Sequence, residues 1–139
     1  MKFAFSTIGC PNWTWGEILS AAHDLHYDGV EIRGLGKEIY APRIPIFQPE
    51  QWPATKRHLD SLGIAISCLT SACYLFAKEG REAMLQTGYD YIDAAGRMGV
   101  PFIRVMGDQT PDPGDDIDVD YVGENLKLLS AYARDKQVK

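Results

Sequence analysis

Two short apolar runs carry charge where a buried strand has none. Val30-Glu31-Ile32-Arg33 and Phe102-Ile103-Arg104-Val105-Met106 alternate with the two-residue period of a strand. Glu31, Arg33 and Arg104 therefore share the face opposite Val30, Ile32, Ile103 and Val105. A carboxylate and a guanidinium so placed can neutralise each other as an ion pair, or they can bind the polar groups of a substrate. Trp13 follows the first apolar run and offers a ring for stacking on a ligand, with core packing as the equal alternative; for Trp15, capping and packing are the better account. Asp108 lies just past the fourth run, within reach of a ligand hydroxyl, but Asp112, Asp115, Asp116, Asp118 and Asp120 crowd the same stretch as in a solvated loop. Glu31, Arg104, Trp13 and Asp108 are thus the substrate-contact candidates, and no catalytic group or metal ligand set stands out.

Other reactive residues have plainer readings. Cys10, Cys68 and Cys73 form no CxxC motif, are odd in number and lack the glycines of a nucleophile elbow, so they read as buried structural thiols in a reducing cytoplasm. His23, His26 and His58 fall within or at the ends of helical stretches, where surface or capping roles are the default. The segment STIGCPNWTWGE has neither a GxGxxG nor a GxxxxGK[ST] pattern, which argues against nucleotide binding.

The elements that must position these residues alternate in type. Strands are expected at Lys2 to Thr7, Gly29 to Arg33, Ile64 to Thr70 and Phe102 to Met106, and helices at Thr14 to Leu25, Pro49 to Leu62, Arg81 to Met98 and Tyr121 to Lys136. Gly29, Gly63 and Gly99 each stand just ahead of a β-branched or apolar residue that opens a strand. Long loops follow the strands, Gly34 to Gln48 and Gly107 to Asp120, at the ends where parallel α/β folds build their sites.

Four βα units fit either a doubly wound open sheet or half of a closed barrel. Central strands of an open sheet are apolar on both faces. The one-sided charge of the second and fourth strands instead fits a barrel, whose outer face packs on helices while its inner face opens into a polar site. The fold class expected is α/β, a parallel (β/α)4 half of a TIM barrel, with residues 1–139 as one domain. A net charge of -5 without a basic patch argues against nucleic acid, and no apolar run approaches a membrane span. The amino terminus has no signal-peptide pattern.

Three stretches resemble the sugar-phosphate isomerase/epimerase family, relatives of xylose isomerase. FSTIGCPNWTWGEILSAAHDLHYDGVEIRG is similar to that family's first strand, first helix and second strand, with Ser6, Thr7, Trp13, Glu17, Ala22, Tyr27-Asp28-Gly29 and Glu31 at matching places. LDSLGIAISCL resembles the second helix end and third strand, and YIDAAGRMGVPFIRVMGD the third helix and fourth strand, with Arg104, Val105 and Gly107. His26 departs from the pattern, which has a helix-stopping glycine there. The resemblance implies a carbohydrate substrate, on which Trp13 could stack, and a divalent metal, manganese, magnesium or cobalt, in the parent enzyme. Two glutamates, an aspartate and a histidine of the fifth to eighth strands would hold that metal, and carboxylates would shuttle the proton.

A full barrel needs about 250 residues, so the expectation for this chain is an amino-terminal half that ends after the fourth helix, binds no catalytic metal and is inactive alone. Its exposed inner face and unpaired strand edges predict a homodimer, or pairing with the other half. The rival reading is a self-contained, non-catalytic α/β binding module; an endonuclease relative is disfavoured by the acidic balance and the lack of histidines after the second and third strands.

Overall fold

The computed structural model describes residues 1–108 and 117–139. The elements run β1 (Ala4–Ser6), α1 (Trp15–Asp24), β2 (Gly29–Ile32), α2 (Trp52–Leu62), β3 (Ala65–Tyr74), α3 (Arg81–Met98), β4 (Ile103–Met106) and α4 (Val119–Arg134). The strands form one sheet in the order β1-β2-β3-β4, and every pair is parallel. A doubly wound sheet would break that order at its switch point. Four strands in sequence, with a helix after each, make half of a (β/α)8 barrel.

The apolar face of the sheet meets the helices. Val30, Ile32 and Leu69 are buried against Ile18, Leu19 and Ala22 of α1, Leu59 of α2, and Ile92 and Ala95 of α3. Each such aliphatic side chain withdrawn from water contributes about 1.5–3 kcal/mol. The approach of α3 to its neighbours is close: a Cβ on Gly88 would meet Leu129 Cδ2 of α4 at 2.7 Å and Cys73 Sγ of β3 at 3.3 Å, so a larger residue there needs the Leu129 side chain to shift.

One junction geometry recurs four times. At the end of each helix a residue turns left-handed, namely His26 at φ 57°, Gly63 at 68°, Gly99 at 70° and Gln137 at 58°. The next residue donates its N–H back to the helix, Tyr27 to Ala22, Ile64 to Leu59, Val100 to Ala95 and Val138 to Ala133. The chain then turns into the sheet, where Asp28 N–H bonds Phe3 O at 2.8 Å and Ala65 N–H bonds Asp28 O at 3.0 Å. Two of the four stops use no glycine and accept about 1–2 kcal/mol of left-handed strain instead.

The fourth junction carries the chain a few residues past α4 and back to the sheet. Lys139 N–H donates to Pro101 O at 3.0 Å, and Ile103 N–H donates to Lys139 O at 2.9 Å, so the last residue already pairs with the β4 side of the sheet. The fourth helix also starts earlier than read, at Val119, because Asp118 caps it through the Tyr121 N–H at 3.1 Å.

Two further differences bear on the site. β3 runs ten residues, to Tyr74, past two register shifts, one opposite Val30/Glu31 and one beyond Thr70. The stretch Gly34 to Gln48 holds short 3-10 turns at Ala41–Arg43 and Pro45–Phe47, and Ala41, Ile44 and Phe47 are buried. Tyr91 OH accepts from Ala41 N–H at 3.0 Å, and Tyr40 OH donates to Asp90 at 2.5 Å, tying this stretch to α3. Burial first and Asp90 second push the Tyr40 phenol far above its ordinary range, so it stays a donor. Much of this loop is therefore core, not a free rim of the site.

Candidate functional site on the inner sheet face

The first register shift decides which residues share the inner face. Ser6 pairs with Glu31 and Glu31 with Cys68, so these three form one row across β1, β2 and β3. One step nearer the carboxyl ends, Thr70 pairs with Arg104. An unshifted register would have put Ser67 beside Glu31. Gly29 starts β2 two residues before Glu31 on the same face, and a Cβ there would stand 2.8 Å from Ala65 O, so only glycine lets β2 and β3 approach this closely.

Glu31 is half-buried and accepts a hydrogen bond from the Thr70 hydroxyl. The guanidinium of Arg104 is exposed and makes no hydrogen bond or ion pair among the described residues. The Glu31–Arg104 ion pair considered from the sequence therefore does not form; Thr70, lying between the two strands, satisfies the carboxylate instead. Arg33 does not join them. Its guanidinium reaches Ile39 O at 3.5 Å, turned toward the stretch after β2.

Cys68 sits between the two charges. Burial, then the Glu31 carboxylate, push its thiol up to about 11, with Arg104 and the Thr70 hydroxyl pulling the other way. It is a protonated, weakly reactive group at neutral pH, half-buried on the inner face and not deep in the core. Cys73 fits the structural reading: it is fully buried between β3 and α3, and burial raises it to about 11.

The carboxyl ends of β1 and β2 are joined by Thr7, which is 2% exposed. Its hydroxyl donates to Gly34 O at 2.9 Å and accepts from Arg33 N–H at 2.9 Å and from Gly34 N–H at 3.3 Å. Beyond it, Trp13 is 42% exposed on the segment that follows β1. Trp15 instead packs edge-on against Phe47, with ring centroids 5.8 Å apart, as its packing reading requires. Tyr74, 43% exposed at the end of β3, pairs in register with Met106 and adds a second exposed ring that sequence reading passed over, because the strand was taken to stop at Thr70.

Asp108 is half-buried just past β4. Asp112, Asp115 and Asp116 lie outside the described residues. Asp118 is no free carboxylate: it caps α4 and pairs with Lys78 at 2.9 Å, bonds that hold it below the ordinary carboxylate range, while Asp120 stands in the first turn of α4. Glu17 is likewise structural, forming a capping box with Thr14 in which Thr14 N–H donates to its carboxylate at 2.7 Å. His23 and His58 lie within helices, and His26 is the left-handed helix stop.

The donor set does not fit a divalent metal. Glu31 is the one carboxylate of its row, it is engaged by Thr70, and a cation follows on the next strand but one; among the described residues no three His, Cys, Asp or Glu side chains converge. What the face can do is orient a polar ligand. Glu31, held by the buried Thr70 hydroxyl, can accept from a ligand hydroxyl, and Arg104 can bind an anionic or electron-rich oxygen.

No family model matches the chain, and no curated protein matches it. Solved structures do match its fold. A structure titled IOLI protein with a binding zinc atom is 16% identical, with a TM-score of 0.71 over 100% of this chain and 50% of that one. D-psicose 3-epimerase with D-tagatose, from Clostridium cellulolyticum H10, is 15% identical, with a TM-score of 0.70 over 99% of this chain and 50% of that one. A xylose isomerase-like TIM barrel protein from Mycobacterium smegmatis in complex with magnesium is 15% identical, with a TM-score of 0.66 over 99% and 53%. The chain spans about half the length of each of these three structures. Its fold is half of a TIM barrel, similar to one half of these structures, as the order of its strands anticipates.

Proposed function

We propose that this chain is the amino-terminal, substrate-orienting half of a sugar or sugar-phosphate isomerase or epimerase barrel. The observation that carries the proposal is the inner face itself, with Glu31 held by Thr70 and Arg104 exposed beside them on a sheet that superposes on half of a ketose epimerase fold. In this reading Glu31 accepts from a sugar hydroxyl, Arg104 binds a phosphate or a carbonyl oxygen, Trp13 stacks on the sugar ring, and Asp108 takes a further hydroxyl. The divalent metal, manganese, magnesium or cobalt, and the carboxylates that move the proton belong to strands beyond these four, so the chain alone has no isomerase or epimerase activity. Three free thiols suit a reducing cytoplasm. The exposed inner face calls for a cover, either a second copy of the chain or the complementary half of the barrel.

Two titrations test this. Addition of D-tagatose or a ketose phosphate, followed by backbone amide shifts, is expected to move Glu31, Thr70 and Arg104, and Arg104→Ala should abolish the phosphate-dependent part. Shifts confined to other regions would refute the site. Calorimetry with manganese, cobalt and magnesium should show no saturable micromolar binding; binding near one ion per chain, abolished by Glu31→Gln, would overturn the assignment of the metal to the other half.

A further inference from the structure

The polar rows of the inner face reach Arg104, and an apolar level stands one step nearer the carboxyl ends. Four steps of β3, Thr70 to Tyr74, lie opposite two of β4, Arg104 to Met106, so β3 carries extra chain there. Ser71 closes the gap: its hydroxyl donates to Arg104 O at 2.7 Å and accepts from Cys73 N–H at 3.2 Å, and Leu75 N–H then donates to Met106 O at 2.8 Å. Ser71, Cys73 and Leu75 are buried, so by the alternation of a strand Ala72, Tyr74 and Phe76 lie on the opposite, inner side with Met106. Tyr74 is 43% exposed, and its ring centroid is 5.8 Å from that of the half-buried Phe76. Ala72, one step below it, is small and half-buried.

Resting on the substrate-orienting reading, we infer that the substrate carries an apolar, planar group on the end that leaves the sheet, and that Tyr74 selects for it. The chemical class is an anionic sugar bearing an aryl or similar substituent. Glu31 and Arg104 supply partners for a hydroxyl and an oxyanion in the rows below. At the next level Ala72, Met106 and the Tyr74 ring present carbon and sulfur. A hydroxyl seated there gives up its water for at most the Tyr74 hydroxyl, whereas a planar apolar group gains ring stacking and thioether contact. The ring is also mounted on a hydrogen-bonded strand, so it is held in place before the ligand arrives. A sugar bound by the polar rows alone leaves this level uncovered.

The test compares methyl β-D-glucuronide with phenyl β-D-glucuronide, which share a carboxylate and hydroxyls and differ in the aglycone. Both are titrated into the chain and followed by backbone amide shifts. The phenyl glycoside is expected to bind at least about 10-fold more tightly, with Tyr74 and Met106 joining the shifts at Glu31, Thr70 and Arg104. Tyr74→Ala should bring the ratio of the two affinities to about one, and Tyr74→Phe should keep it. Equal affinities in the unaltered chain would overturn the inference while leaving the polar site standing, as would a preference that survives Tyr74→Ala. Should neither ligand move Glu31 or Arg104, the substrate-orienting reading fails and the inference falls with it, so the two failures are read separately.

Discussion

Cys68 reports on both charges of the inner face, and its reactivity can be worked out in advance. With its thiol at about 11 against the ordinary 9.0, the thiolate fraction at neutral pH falls roughly 100-fold, and alkylation by iodoacetamide should slow by that factor relative to a free cysteine. Burial is the largest cause, so removing either charge should change the rate only by about 2- to 5-fold, but in opposite directions. Glu31→Gln removes a negative charge that raises the thiol and should speed the reaction; Arg104→Gln removes a positive charge that lowers it and should slow the reaction. Rates are read by mass spectrometry of the Cys68 peptide across pH, with Cys10 and Cys73 as internal comparisons. The folded state favours the neutral thiol, so its contribution to stability is complete below 9.0 and is lost as pH rises through about 11. Reaction at the rate of a free cysteine, or both variants moving the rate the same way, would refute the placement of Cys68 between the two charges.

Other expectations follow from individual contacts. Gly29→Ala drives a Cβ onto the Ala65 carbonyl and should lower stability by about 1–3 kcal/mol in urea denaturation. His26→Gly relieves a left-handed histidine and should raise stability by about 1 kcal/mol in the same assay. Asn125, fully buried, donates to Leu75 O at 2.9 Å and accepts from Arg81 Nε at 2.8 Å, so Asn125→Ala strands both partners and should cost about 1–3 kcal/mol. The lowered Asp118 carboxyl stabilises the start of α4 above its ordinary 3.8 and ceases to as pH falls through its lower folded value; amide exchange at Tyr121 should therefore accelerate on acidification, and Asp118→Asn should remove that dependence.

What could be read from residues alone was whatever repeats at short range. The alternation in β2 and β4 announced a face of charge, and the structure places Glu31 and Arg104 on it. Pairing was another matter, because a register shift leaves no mark in composition: nothing in Ser67-Cys68-Leu69-Thr70 says that Cys68, not Ser67, meets Glu31, or that Thr70 will donate to the carboxylate in place of Arg104. The stretch after β2 misled for a related reason. Ala41, Ile44 and Phe47 recur every third residue, the period of 3-10 turns too short to stand out in the sequence, so their burial appears only in the structure, where Tyr91 and Tyr40 tie the stretch to α3. At His26 and Gln137 a geometry normally signalled by glycine is met by other residues, and the tail that Gln137 turns into the sheet was missed with it.

The sequential strand order has a consequence for how the molecule comes apart. Each strand leans only on the strands before and after it in the chain, so cohesion runs from neighbour to neighbour as it does in a repeat array. Three residues of β1 pair with β2, whereas β3 spans ten and is bracketed on both sides. Loss of order should therefore begin at the β1 margin and move inward, with the segment around β3 and α3 the last to yield. Short-range topology of this kind also favours rapid assembly, since little loop must be closed before each new pairing is rewarded.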